Sequence, residues 1–129
     1  MPLRIELKPG EKVFLGGAVL ENGSSRSQFT VLNDVPVLRE RDILTEKTAD
    51  TPCKRIYLTI QLMYMDEQNL SQYHQAYWQL VRDLLDAVPS TLELLNRISA
   101  YILNRQYYQA LKSARDLIAY EQDLLKHVE

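Results

Sequence analysis

All four glycines, Gly10, Gly16, Gly17 and Gly23, fall in the first 23 residues of a 129-residue chain, and beyond Pro52 only Pro89 interrupts a glycine-free sequence. Glycine supplies the positive φ angles of tight turns, so the front of the chain is turn-rich. A long stretch without helix breakers favours helices. The chain therefore reads as α+β: a small N-terminal antiparallel β module of about five short strands over residues 1–46, then a four-helix part over residues 47–129 that ends in an αα-hairpin.

In the front part Leu3, Ile5 and Leu7 alternate with Arg4, Glu6 and Lys8, the period-two pattern of a half-buried strand. Pro9-Gly10 turns the chain into a second strand, Lys12-Val13-Phe14-Leu15. Gly16-Gly17 and Asn22-Gly23 bracket a short third strand around Val19, with Asn-Gly read as a hairpin turn. A fourth strand is expected near Gln28 to Leu32 and a fifth from Val35 to Leu38, where Pro36 suits an edge or an entry position. Five short strands bury little surface, so such a module needs closure, a covering helix or a dimer partner. A homodimer through this part is the expectation.

Thr51-Pro52 is a helix start, an N-cap followed by proline at the first helical position. From Ile56 to Met65 the residues are apolar on almost every side except at Gln61, which marks a buried helix. Asp66 to Asn69 breaks it. Leu70, Tyr73, Tyr77, Leu80, Val81, Leu84 and Val88 then recur at helical spacing. Pro89 ends that helix, and Ser90-Thr91-Leu92-Glu93 reads as a capping box for a third with Leu95, Ile98, Tyr101 and Ile102 inward. After a break at Asn104-Arg105, the last helix carries Tyr107, Leu111, Ala114, Ile118 and Leu125 on one face. So short a link makes the final two helices antiparallel neighbours.

Fifteen Lys+Arg against seventeen Asp+Glu exclude a basic arm that coats nucleic acid by charge alone, and an acidic disordered tail as well. One cysteine, Cys53, cannot form an intramolecular disulfide, which suits a reducing compartment. Neither a secretion signal nor a run long enough to span a bilayer is visible, so a cytoplasmic location without membrane attachment is expected.

Catalytic motifs for phosphate, zinc, dinucleotide or acyl chemistry are absent, and an enzyme is the least favoured class. His74 is assigned to a polar flank, His127 to a frayed end and Cys53 to packing. Of the clustered aromatics, Trp78 and Tyr108 fall beside the apolar stripes and are candidates for a protein-partner surface. In the β module Arg4 and Lys8 lie on the wet face of the first strand, and Arg39 and Arg41 follow the last. If those two strands are neighbours, the four cations form one local positive patch; if they are not, six basic residues balanced by six carboxylates make an ordinary solvated surface.

Several segments resemble one family. They are Pro2-Leu-Arg-Ile-Glu-Leu-Lys-Pro-Gly-Glu-Lys12, Asn33-Asp-Val-Pro-Val-Leu-Arg-Glu40, Asp42-Ile-Leu-Thr45, Thr48-Ala-Asp-Thr-Pro52, Lys54-Arg-Ile-Tyr57 with Gln61-Leu-Met-Tyr64, and Tyr107-Tyr-Gln-Ala-Leu-Lys112 with Leu117-Ile-Ala-Tyr-Glu121. Together they resemble FlbT, the flagellum biosynthesis repressors of alphaproteobacteria, along essentially the whole chain. The resemblance implies a post-transcriptional regulator that binds the 5′ untranslated leader of flagellin mRNA and alters its translation and lifetime, usually as a repressor. It implies flagellin and the small regulator FlaF as protein partners; no cofactor is expected, since the sequence shows no motif for one.

A shorter stretch, Gly10-Glu-Lys-Val-Phe-Leu-Gly16 with Asn33, Pro36, Val37-Leu-Arg-Glu40 and Ile43, is similar to the carbon storage regulator CsrA. That family is a strand-swapped β homodimer that reads GGA-containing leaders with an arginine matching Arg39. Leu7-Lys8-Pro9 stand here where that family has adjacent arginines. The two resemblances make Arg4 and Arg39 the expected RNA contacts, with Lys8 and Arg41 supplying charge to phosphates. The alternative class is a helical protein-binding module acting on flagellin or FlaF, with indirect effects on the mRNA. The hairpin from Tyr101 to Tyr120, which looks like half of a tetratricopeptide repeat, is its sequence basis.

Overall fold

Alternation at the start of the chain does produce a strand, β1 (Leu3–Leu7), in which Ile5 and Leu7 are buried while Arg4 and Glu6 face outward. The computed structural model describes residues 2–127 and divides after Ile43 into two units, residues 1–43 and 44–129.

The first unit adds β2 (Lys12–Leu15), β3 (Ala18–Glu21), β4 (Ser27–Val31) and β5 (Val37–Arg39). They form two antiparallel sheets, β1-β4 and β3-β2-β5, so the α+β class and the strand count agree with the sequence. Ile5 stands opposite Phe29, and Leu15 opposite both Ala18 and Val37. Pleating places Val13, Leu15 and Val37 on one face, where they pack with Ile5, Leu7, Val31 and Phe29 into a small core. Phe14 and Leu38, from the opposite face, are buried too. Pro36 enters the edge strand β5, and its carbonyl accepts the Gly16 amide at 2.9 Å.

The turns differ from the sequence reading at one point. Gly16 and Gly17, at φ 56° and 98°, make the two-residue turn between β2 and β3. Asn22-Gly23 makes no hairpin: β3 and β4 do not pair, and β4 crosses to β1. Instead the Asn22 carboxamide donates to the carbonyls of Leu7 (3.1 Å), Lys8 (2.8 Å) and Ser25 (3.0 Å), and the Gly10 amide donates to the Gly23 carbonyl at 3.0 Å. Asparagine here satisfies the backbone of a neighbouring turn, a role that local spacing does not distinguish from a hairpin.

The second unit holds α1 (Pro52–Met65), α2 (Leu70–Ala87), α3 (Leu92–Leu103) and α4 (Tyr107–His127). Thr51 caps α1 by accepting the Lys54 amide at 3.2 Å, with Pro52 in the first turn. α1 is the spine: it packs against both α2 and α4, and Ile56, Ile60 and Met63 are fully buried. The buried Gln61 is satisfied by Leu44, whose amide donates to its Oε1 (2.9 Å) and whose carbonyl accepts from its Nε2 (3.0 Å). On α2 the expected stripe turns inward through Tyr77, Val81 and Leu84. Contacts Ser90–Tyr120 and Arg97–Asp116 run in opposite chain directions, which makes α3 and α4 the expected antiparallel hairpin.

Two helix-end expectations are corrected. The capping box does not form, because Pro89–Thr91 is a 3₁₀ turn and α3 starts without a side-chain cap bond. The Thr91 hydroxyl donates to the Val88 carbonyl (2.7 Å) and the Ser90 hydroxyl accepts from Tyr120. Leu125, expected on the inward face of α4, is 55% exposed, because α4 runs past Leu117, the last fully buried residue of its stripe.

Candidate functional site

The four cations singled out in the β module do not lie along paired strands. β1 and β5 belong to different sheets. Arg4 is exposed on the outer face of the β1-β4 sheet, opposite Thr30. Lys8 is exposed just beyond β1, and its amide donates to Glu11 Oε1 at 2.9 Å. Arg39 is half-buried on β5, and Arg41 is exposed in the 3₁₀ turn Glu40–Asp42. One bond links the two strands across the sheets: Arg39 Nη1 donates to the Glu6 carbonyl at 3.0 Å. Arg39 is thus drawn to the backbone of β1 between Arg4 and Lys8 in sequence. Carboxylates stand among these cations, and Glu40 accepts the Lys12 amide at 3.2 Å.

In the helical unit Trp78 is half-buried with its ring edge-on to Tyr77, at 5.0 Å and 74°. Tyr108 is 40% exposed, 5.8 Å from Tyr64, with Lys112 Nζ 5.7 Å above its ring. The two aromatics belong to different ring clusters, one on α2 and one between α1 and α4.

Cys53 and His74 are titratable groups in distinctive surroundings. Burial first, then the Glu121 carboxylate, pushes the Cys53 thiol well above its ordinary range, so it stays protonated and packs as expected. His74 is not on a solvated flank, as the periodicity suggested. It is half-buried because α4 brings Tyr107 against it, Nε2 to hydroxyl 3.2 Å with the rings edge-on. His127 belongs to the last turn of α4 and lies 2.7 Å from the Asp123 carbonyl. Among the described residues no cluster of His, Cys, Asp and Glu could hold a metal ion, and no helix is long and apolar enough to cross a membrane.

Sequence reasoning missed one feature altogether. A groove of about 610 Å³ opens beside the start of α1, walled by Leu80 and Leu84 of α2, by Val88 just past its end, and by Leu124 and Leu125 of α4. Periodicity placed Leu80, Leu84, Val88 and Leu125 on inward faces and gave no sign that a groove is left between them.

A β unit with surface cations and a helical unit with an apolar groove define a small α+β protein. The family described as Flagellar protein FlbT matches residues 3–125. The chain is 44% identical over 125 residues to a probable flagellum biosynthesis repressor protein FlbT of Rhodopseudomonas palustris (strain TIE-1), covering 97% of this chain and 98% of that one. It is 47% identical to a probable FlbT 1 of Bradyrhizobium diazoefficiens, over 96% and 85% of the two chains. To the flagellum biosynthesis repressor protein FlbT of Caulobacter vibrioides (strain ATCC 19089) it is 38% identical, over 99% and 92%. This chain belongs to the FlbT family. No solved structure matches it.

Proposed function

We propose that this protein regulates flagellin synthesis after transcription, by binding the 5′ untranslated leader of flagellin mRNA and altering its translation and stability, as a repressor. The observation that carries the reading is the end-to-end match to relatives named flagellum biosynthesis repressors. Such a regulator works in the cytoplasm by occupying the message, without a hydrolytic centre of its own. Single-stranded leaders are read by backbone groups and a few arginines, so a chain of net charge -2 is compatible with the task. Arg4, Lys8, Arg39 and Arg41 are the proposed RNA contacts. A homodimer through the β unit is part of the proposal: edge strand β3 exposes Val19 (70%) and Leu20 (41%), and a unit of this size has little core of its own.

Titration of the purified protein with its organism's flagellin leader and with a scrambled control, at two salt concentrations, tests the reading. Selective binding with a log–log salt slope of about -2 to -3 is expected from three or four phosphate contacts. Arg41→Ala and Lys8→Ala should each weaken binding without loss of fold, whereas Arg39→Ala also removes the link to Glu6. Equal binding of leader and scrambled RNA sinks the proposal.

A second reading is favoured by the exposure of Tyr108. Flagellin or FlaF would contact the helical unit at Trp78 and Tyr108, and the mRNA would respond indirectly. Pull-down of purified flagellin or FlaF by the full chain, lost in Tyr108→Ala, is the expected result; equal retention by the variant removes this reading.

A further inference from the structure

The groove beside α1 is built by helix ends that outrun their packing. On α4 Leu117 is fully buried, but Leu124 is only half-buried and Leu125 is mostly exposed, two turns further along the same helix. Leu80 on α2 and Val88 just past its end are likewise half-buried beside the buried Leu84. An apolar wall left open to water costs free energy unless something covers it.

Polar groups in the lining are already occupied. The Thr51 hydroxyl donates to Glu121, the Thr91 hydroxyl to the Val88 carbonyl, and the Tyr120 hydroxyl to Ser90. No convergent set of donors and acceptors is left on these residues to orient a small polar ligand, which specific small-molecule sites require. What remains is apolar wall and charge at the rim. The rim has an acidic balance: Asp50 is already paired with Lys54 at 3.3 Å, and Asp83 and Glu121 stand against Arg55.

We propose that this groove docks an amphipathic helix of a protein partner, its apolar side chains at i, i+3, i+4 and i+7 seated between α2 and α4 and its lysines or arginines facing Asp83 and Glu121. A helix laid in an apolar groove between two helices is a recurring recognition mode, and its anchors have this spacing. A volume of about 610 Å³ takes a row of several apolar side chains rather than one. Charge complementarity selects the basic helix over an acidic one of equal hydrophobicity and raises its association rate. This surface is separate from Trp78 and Tyr108, neither of which lines the groove, and it stands independently of RNA binding.

The test uses the full chain and two fluorescently labelled peptides of about five helical turns, both with leucine at the i, i+3, i+4, i+7 positions, one otherwise lysine and the other otherwise glutamate. Fluorescence anisotropy should show saturable binding of the Leu/Lys peptide and binding at least about tenfold weaker for the Leu/Glu peptide. Leu125→Gln removes an apolar contact at an exposed position without changing charge, and should weaken the Leu/Lys peptide about tenfold even at high salt. Asp83→Lys should shift the preference toward the Leu/Glu peptide. Equal binding of the two peptides, or unchanged binding to Leu125→Gln with its circular dichroism intact, overturns the proposal. A fall in oligomeric mass caused by Leu125→Gln overturns it too, since the occupant would then be a second copy.

Discussion

Glu121 of α4 accepts the backbone N–H of Cys53, in the first turn of α1, on its Oε2 at 3.1 Å. Its other oxygen accepts the Thr51 hydroxyl, which in turn accepts the Lys54 amide. A carboxylate from a distant helix therefore completes the cap of α1, where unsatisfied amides and the helix dipole favour negative charge. Glu121→Ala should lower unfolding free energy by about 2 kcal/mol and Glu121→Gln by roughly half of that, read from urea denaturation. A loss within error for both variants would show that water replaces the carboxylate at no cost.

The same carboxylate bears on the buried thiol. Cys53 is held protonated by burial and by Glu121, and the thiolate is the reactive form. Labelling of Cys53 by a maleimide should be slow in the folded protein and rise with denaturant in step with unfolding. Fast labelling of the native protein at neutral pH would contradict the burial seen here.

Tyr77 is buried, its hydroxyl 2.7 Å from Ser99 Oγ, and burial pushes its pKa from 10.0 up to about 12, opposed by the Ser99 hydrogen bond. A raised folded pKa means that the stabilising contribution is fully present below pH 10.0 and disappears as pH rises toward about 12. Alkaline unfolding in that window is expected, and Tyr77→Phe should move it upward. An unchanged alkaline midpoint in the variant would assign the transition to another group.

Asp66 works in the opposite direction. Its carboxylate accepts from the Tyr73 hydroxyl at 2.7 Å, Asn69 Nδ2 at 2.8 Å and the Gln68 amide at 3.1 Å, which hold its pKa below the ordinary 3.8. A depressed folded pKa gives stability that is present above 3.8 and is lost as pH falls through the folded value. Urea midpoints measured between roughly pH 5 and pH 2 should fall less steeply for Asp66→Asn than for the parent. Parallel slopes would exclude Asp66 as a contributor.

Arg105 links α3 and α4 at φ 58°, a left-handed backbone that L side chains resist. Gln106 donates to the Tyr101 carbonyl at 2.8 Å and Arg105 to that of Ile102 at 3.0 Å, the paired bonds of a Schellman ending in which glycine is the usual residue. Arg105→Gly should raise stability by about 0.5–1 kcal/mol in thermal or urea unfolding. A destabilised variant would mean that the arginine side chain contributes more than its backbone strain costs.

Local information was enough for much of this protein. Period-two and period-3.6 hydrophobicity, glycine placement and the Thr51-Pro52 start determined five strands, four helices and their order, because each depends on residues within one or two turns. Arg39 could be named in advance as a surface candidate, but its reach to the Glu6 carbonyl could not. Strand partnership joins Leu3 to Val31 and Val13 to Arg39, and nothing local distinguishes those pairings from a meander. For the same reason Asn22-Gly23 read as a hairpin, and His74 read as solvated until α4 supplied Tyr107. Periodicity marks which face of a helix is apolar, but burial also needs a neighbour long enough to cover it. Only the tertiary structure showed where α4 outruns that cover, leaving Leu125 on the wall of a groove and Glu121 at the head of another helix.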